Sequence, residues 1–505
     1  MASQRSALLI SLINSTDNLG LKYIHSSLQR AGFRSEILFH TVDDASHFNA
    51  VADFVRESKV DAVGISLMSR FFYAAAGLTD AIKKECGDNV PIVWGGIHPT
   101  IDPKGCEGRP HYVCVGEGEA AFGEFLKNME NKSLSYQVQG INVASTAECS
   151  VSPRIENLDD LAFPEFLPRN SWVTDRGRIK PLTPELLKKN NRHNGTYLSV
   201  MTSRGCPFSC SYCCNNLLHT IYGKKIRKRS PESVIEEIEM NLSRTSLSFR
   251  YLNVYDDCFT SHSLEWLDTF VRSYKGIGIP LIFRAIPQFI TKEKIALLKD
   301  APCGFALIGL QTGSERTLRD VYQRKHSQKA FLNCAQLLDK NNIPAIYDVI
   351  VDNPYETTGD TKETVEVISE LPSTAYLSLA SLTFYKYTAL YDKAKADGFS
   401  VDEHLTKNQD AWNKSSKEVQ AIKFAVFFGK ASALEVLNGA HALSRVKFRL
   451  LSILIAKFLE PLRYLRLMYL SHGRKKAAFL GLLFAHARDF GKRYFSLERT
   501  NKHAH

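Results

Sequence analysis

Ser203-Arg204-Gly205-Cys206-Pro207-Phe208-Ser209-Cys210-Ser211-Tyr212-Cys213 sets three thiols in a C-x3-C-x2-C spacing inside one short loop. The run before it, Thr196-Tyr197-Leu198-Ser199-Val200-Met201, is apolar and β-favouring enough to predict a buried strand. A strand that ends where three cysteines begin places them at a carboxyl edge, where parallel α/β folds bind their ligands. Gly205 and Pro207 suit a tight wrap, one relaxing φ and the other fixing it. Three thiolates leave one iron of a cubane cluster open, by the logic that separates catalytic from structural zinc sites. The plainer alternatives are three core cysteines or part of a zinc site, but no second C-x2-C pair follows. Cys214, next to Cys213, reads as a bystander.

Working outward toward the N-terminus, residues 6 to 130 alternate strand and helix. Apolar runs predict strands at Ala7–Ile13, Glu36–His40, Ala62–Leu67, Pro91–Trp94 and Tyr112–Val115. Helical patterns lie between and after them at Leu19–Arg30, Phe48–Glu57, Phe71–Glu85 and Glu119–Met129. Continuous apolar strands separated by amphipathic helices mean a doubly wound parallel sheet of the Rossmann type. Its strand ends carry Leu19 and Gly20, Ser66, Gly95 and Gly96, and Gly116 and Glu117. Glycine pairs permit close approach of a ligand, and no G-x-G-x-x-G follows the first strand to mark a dinucleotide site. Residues 136–195 read as a connector, with Lys188–Asn194 as an exposed loop.

From 196 to 395 the alternation resumes six times, with strands at Tyr251–Tyr255, Leu281–Ala285, Phe305–Leu310, Ala345–Val351 and Tyr376–Leu382. Six βα units predict a partial, open barrel of the TIM type. Its strand ends carry Asp256-Asp257, Arg284, Gln311 to Ser314, and Asp352 to Glu356. Neighbours on a strand point to opposite faces, so one of Asp256 and Asp257 faces the site. Tyr255, Tyr347 and Tyr385 could relay a radical, with core packing the plainer role.

The 505 residues suggest about two to four domains. Eleven cysteines without a secreted scaffold's even framework, and no signal-peptide pattern at the start, point to a reducing cytoplasm. The net charge of +11 is entirely local: residues 401–505 hold 19 Lys+Arg against 8 Asp+Glu, while the first 400 hold 45 of each. That argues against a nucleic-acid-binding core and for a basic appendage over 396–505. The appendage predicts helices at Ser444–Leu459, Leu462–Leu470 and Ala477–Ala487, with Arg445/Arg449 and Arg463/Arg466 at helical spacing. Its apolar runs fall far below the ~18 residues of a membrane span. A helical cap on the barrel and a peripheral membrane contact both stay open.

The 203–213 stretch resembles the signature of the radical S-adenosylmethionine (SAM) superfamily, in the wording of its cobalamin-associated branch. The likeness covers residues 5 to 395 and implies a domain order: a cobalamin-binding domain (1–135), connector, radical SAM barrel (196–395) and C-terminal helical segment. It implies a [4Fe-4S] cluster on Cys206, Cys210 and Cys213, with SAM on the open iron and cleaved there to a 5′-deoxyadenosyl radical. "GGIHPT" at 95–100 and "GEGE" at 116–119 are recurrent wording of that branch's cobalamin domain. They imply cobalamin contacts from Leu19, Gly20, Ser66, Gly95, Gly96, Gly116 and Glu117. Gln311, Ser314, Asp257 and Arg284 are implied SAM contacts. Cobalamin domains of the D-x-H-x-x-G type take a lower cobalt ligand from that histidine; Ser15–Gly20 has none, and His98, a conceivable substitute, reads as a loop residue. The activity implied is methylation of an unactivated carbon of a small-molecule substrate, a hydrophobic one if the basic amphipathic tail is a guide, with flavodoxin or ferredoxin as electron donor. An oxidative or ring-forming reaction, or a cobalamin sensor with a vestigial cluster, are the alternatives.

Overall fold

The run Ala7-Leu8-Leu9-Ile10 is buried on both faces, because its strand lies inside a parallel sheet covered by helices on either side. The computed structural model describes residues 4–13, 15–40, 47–129, 138–145, 148–191, 193–401, 416–438, 454–455 and 459–471. They fall into two units: residues 1–262 with 322–324 and 383–407, and residues 263–321 with 325–382 and 408–505.

In the first unit, β1 (Ser6–Ser11), β2 (Arg34–Phe39), β3 (Ala62–Ser66), β4 (Ile92–Gly95) and β5 (Tyr112–Cys114) form a parallel sheet in the order β5-β4-β3-β1-β2. The order reverses between β1 and β3, and a crevice at that switch point is where open α/β sheets bind ligands. Helices α1 (Leu19–Arg30), α2 (Phe48–Ser58), α3 (Phe72–Cys86), α4 (Ile97–Ile101) and α5 (Gly118–Asn128) connect the strands, α1 packing on α5 and α2 on α3. Asn18 fixes the start of α1 by accepting from Leu21 N–H at 3.2 Å.

The stretch expected to be only a connector widens this sheet at both edges. β6 (Ile141–Val143) pairs antiparallel with β5, while β7 (Ser171–Asp175) joins β2 and carries β8 (Arg178–Pro181) beside it. The expected loop Lys188–Asn194 begins as helix instead: Thr183 caps α6 (Pro184–Asn190), and Pro184 occupies a first-turn position where its missing N–H costs nothing. Asn191, directly after it, is buried and donates to Thr16 Oγ1 at 3.2 Å.

The same unit continues with β9 (Tyr197–Val200), the short pair β10 (Ser203–Arg204) and β11 (Arg227–Lys228), and β12 (Tyr251–Val254), parallel to β9. Helices α7 (Asn215–Tyr222) and α8 (Pro231–Ser243) lie between them. Ser230 caps α8 and Pro231 starts it.

The second unit holds four more parallel strands in chain order, β13 (Leu281–Ala285), β14 (Cys303–Gln311), β15 (Ala345–Val351) and β16 (Tyr376–Ser381). With β9 and β12 they complete the six βα units expected. Its helices are α9 (Leu264–Tyr274), α10 (Lys292–Asp300), α11 (Gln328–Lys340) and α12 (Thr358–Ser369); α13 (Ala389–Ala396) belongs to the first unit. From the C-terminal segment come α14 (Lys417–Phe428), α15 (Lys430–Asn438) and α16 (Glu460–Ser471), with α12 packed on α14 and α15. The expected helix Leu462–Leu470 lies within α16, which takes Pro461 into its first turn. Ser444–Leu459 falls almost wholly, and Ala477–Ala487 wholly, outside the described residues, as do Arg445 and Arg449. No helix among the described residues is long and apolar enough to cross a membrane.

Candidate active site

The cysteine loop is held by groups that leave its thiols unengaged by disulfides. Asp256, fully buried after β12, accepts from Thr202 N–H at 2.7 Å, Ser203 N–H at 3.1 Å and Ser203 Oγ at 2.6 Å. It thereby pins the chain just before Cys206. His219 on α7 bonds the Cys206 carbonyl through Nε2 at 2.7 Å, and its Nδ1 meets Ser209 Oγ at 3.3 Å. Further along, Ser211 N–H donates to Tyr322 O at 3.0 Å and Ser211 O accepts from Leu390 N–H at 2.9 Å. The loop is thus fixed at its start, middle and end by backbone-directed bonds.

All three thiols are free cysteines. Burial pushes Cys206 up to about 12, and Cys210 and Cys213 also lie above the ordinary thiol range. For Cys213 the first cause is its hydrogen bond with Cys214, which also lowers Cys214. As metal-free thiols they are neutral near pH 7, so iron must displace their protons. Among the described residues no three His, Cys, Asp or Glu side chains converge on one point suited to a single ion. A cubane does not need that convergence, because each thiolate reaches a different iron.

Of the two adjacent carboxylates, Asp256 faces inward as the anchor, while Asp257 is exposed and its charge acts on Cys206 and Cys213. Tyr347 is buried in the core, whereas Tyr255, expected there, is 46% exposed at the end of β12.

A second feature of the first unit is a cavity of about 220 Å³ at the switch point. Gly20, Ser66, Gly95, Gly96, Gly116 and Glu117 line it, six of the seven residues expected to touch cobalamin. Leu19 is absent from the lining and packs beside Tyr23, Leu158 and Leu161. Apolar walls come from Leu9, Ile24 and Phe122, a contribution hidden from motif reading because such residues also build ordinary cores. The glycines divide by role. Gly116 has φ +102°, and a Cβ there would lie 2.1 Å from Tyr222 Oη, so the fold itself demands glycine. At Gly20 and Gly95 a Cβ would meet nothing closer than 4.0 Å and 3.7 Å, so these two leave room that a ligand can fill.

Asp17 stands where the D-x-H-x-x-G motif has its histidine, and its carboxylate accepts from Ser199 Oγ on β9 at 2.9 Å. His98 sits in α4, not a loop; it is buried against Phe72 with Nδ1 3.0 Å from Ser69 Oγ, and does not line the cavity.

Cavity and cysteine loop share one residue. Arg204 lines the cavity and lies two positions before Cys206; it donates to Glu117 at 2.9 Å and to Glu119 at 2.6 Å. Glu117 also accepts two bonds from Arg227, at 2.8 and 2.6 Å, and one from Ile155 N–H at 2.9 Å. These partners hold its carboxyl below the usual range against the upward push of burial. Glu117 is therefore committed to two arginines rather than open to a ligand. Neither Arg204 nor Arg227 is among the site residues expected from sequence, and Arg227 is buried although it sits in the basic run 224–229.

The remaining expected residues lie in the second unit. Gln311 ends β14 with φ +68°, following a register shift against β15. Ser314 is buried, and its hydroxyl donates to Asp360 at 2.5 Å and accepts from Thr317 N–H at 3.1 Å. These two bonds fix the turn that carries Ser314, an expected SAM contact. Arg284 is half-buried near the end of β13.

A sheet crevice lined by glycines, next in sequence to a βα series opened by three strand-end thiols, defines a two-cofactor α/β protein. The chain belongs to the radical SAM superfamily, in the branch with an N-terminal B12-binding domain. The B12 binding domain model matches residues 5–126, and the Radical SAM superfamily model matches residues 200–368. Uncharacterized methyltransferase PH0819 of Pyrococcus horikoshii is 27% identical over 405 residues, covering 77% of this chain and 81% of that one. Among solved structures, the cobalamin-dependent SAM radical enzyme OxsB with aqua-cobalamin bound aligns with TM-score 0.64 and 15% identity, covering 98% of this chain and 76% of that one. The radical SAM methyltransferase TsrM of Kitasatospora setae, with cobalamin and a [4Fe-4S] cluster bound, aligns with TM-score 0.60 and 16% identity, covering 78% and 75%. At those identities the structural likeness speaks to fold.

Proposed function

We propose that this enzyme methylates a carbon of a small-molecule substrate, using cobalamin, a [4Fe-4S] cluster and SAM. The observation that carries the proposal is Arg204, which walls the glycine-lined cavity and leads directly into the three-thiol loop. When bound, the cluster supplies reductive cleavage of SAM to a 5′-deoxyadenosyl radical, and the corrin supplies a methyl group. The chain's own part is to hold and orient. Cys206, Cys210 and Cys213 would hold the cluster, and His219 and Asp256 keep their loop in place. Exposed Asp257, the left-handed Gln311, Ser314 and Arg284 are the SAM contacts proposed. Gly20, Ser66, Gly95 and Gly96 take the corrinoid's tail.

The relative's methyltransferase name supports transfer of methyl rather than ring formation, and a flavodoxin or ferredoxin is the reductant proposed. Peripheral contact of the basic C-terminal segment with a membrane, and a hydrophobic substrate, remain proposals resting on its charge and aromatic content. The test is anaerobic reconstitution with iron, sulfide and hydroxocobalamin. About four irons per chain and bound corrinoid are expected, with 5′-deoxyadenosine formed by the native chain and none by Cys206→Ala. With methyl-labelled SAM and extracts as the substrate source, label entering a product supports methylation. 5′-Deoxyadenosine formed with an altered but unlabelled product would overturn methyl transfer while keeping the cofactors.

A further inference from the structure

Arg324 lies far from the cysteine loop in sequence but belongs to the same unit. Its Nη1 donates to Tyr212 Oη at 2.9 Å, and its guanidinium also hydrogen-bonds the Cys210 thiol. The contact is built rather than incidental. The Tyr212 ring packs edge-on against Tyr322 at 5.0 Å, and Tyr322 O takes the Ser211 N–H, so the segment 322–324 is fastened to the two residues that follow Cys210. Arginine stays charged at any accessible pH, and its planar fork fixes the direction of its donors.

We propose that Arg324 is a positioning residue that raises the reduction potential of the cluster held by Cys206, Cys210 and Cys213. This rests on the cluster proposed above. Three thiolates on a 2+ core make a negatively charged assembly, and one added electron makes it more negative. A guanidinium bonded to one ligating sulfur therefore stabilises the reduced state more than the oxidised one. The carboxylate of Asp257 acts on Cys206 and Cys213 in the other direction. Asp257 is exposed and screened by water, whereas Arg324 is half-buried, so the cation dominates. No redox partner beyond the ordinary one-electron donor is required: one electron enters the cluster, and no proton moves through Arg324.

The experiment is an EPR-monitored redox titration of the reconstituted full-length chain without substrate. Arg324→Gln is expected to lower the reduction equilibrium about tenfold, a shift of about 59 mV to more negative potential. Arg324→Lys, which keeps the charge but loses the fork, should lie between that value and the native one. Tyr212→Phe removes the hydroxyl that orients the guanidinium, and should give a smaller negative shift at full iron loading. An unchanged potential in Arg324→Gln with four irons bound overturns the proposal and leaves the cluster assignment standing. If Arg324→Gln loads no iron, unshifted potentials in both Arg324→Lys and Tyr212→Phe overturn it equally. Failure of the native chain to bind iron defeats the cluster assignment itself.

Discussion

Arg204 donates to Glu119 at 2.6 Å, although 85 residues separate them and neither side chain is more than 13% exposed. A buried pair of this kind is weak evidence for net stability, because desolvation offsets the attraction. Breaking it from one side is costly, since the survivor is left charged and buried. Arg204→Ala is expected to destabilise the protein by about 3 kcal/mol in urea unfolding and to lower retained corrinoid. Glu119→Gln added to Arg204→Ala should then cost less than the sum of the single changes. Additive losses would show that the two side chains do not depend on each other.

The cavity can be closed without harming the fold. A Cβ at Gly20 would meet only Asn18 Oδ1, at 4.0 Å, and Gly20 lies in the first turn of α1. Replacing a helical glycine relieves a backbone entropy cost of up to about 1 kcal/mol. Gly20→Phe is therefore expected to leave the unfolding midpoint unchanged or raised, while corrinoid binding, followed by absorbance, falls at least tenfold. Retained binding would move the corrinoid's tail away from this cavity.

The parts legible from sequence are those governed by local pattern. Helix α1 was expected over Leu19–Arg30 and is found there, because its buried face repeats at helical spacing and Asn18 caps it. The strand-end glycines were legible because a doubly wound sheet fixes where such ends gather. Helix α14 was missed for the opposite reason: Val419 through Ala425 are all buried, including Gln420 and Lys423, so no polar face gives away its period. Pairings across long separations were also invisible. A charge count says nothing of burial or partner, yet Arg229 is buried on Glu237 and Arg227 on Glu117. The bond from Ser314 to Asp360, across 46 residues, was equally out of reach of local pattern.

Lys22 on α1 carries a pH signature. It is 3% exposed and donates to Phe166 O at 2.8 Å, and burial lowers its pKa from the ordinary 10.5 to about 8. The folded chain therefore holds this proton less tightly than the unfolded one. Between about pH 8 and 10.5 the unfolded chain binds more protons, so this group's contribution to stability rises with pH. Below pH 8 its penalty is complete, about 3 kcal/mol before the carbonyl bond returns roughly 1. Lys22→Met is expected to stabilise the protein by about 2 kcal/mol at pH 7 and to lose that advantage above pH 10.5. Urea unfolding of both proteins at pH 7 and pH 10.5 measures it; a constant difference would show that Lys22 is not buried as a charge.

Asp256 and Asp257 give the sharpest contrast within one dipeptide. Asp256 gathers two N–H donors and the hydroxyls of Thr202 and Ser203, all ahead of the first cluster cysteine. Asp256→Asn turns an amide N–H toward at least one of those donors, and bonds to a carboxylate are worth about 1.5–3 kcal/mol each. The chain before Cys206 should then lose its fixed position, and iron bound after reconstitution should fall. Asp257 is exposed, and its charge acts on the thiols of Cys206 and Cys213. Asp257→Asn is expected to keep full iron while weakening SAM binding several-fold. Iron analysis and SAM titration of the two variants separate an anchor from a ligand contact, and equal iron loss in both would refute the division drawn between them.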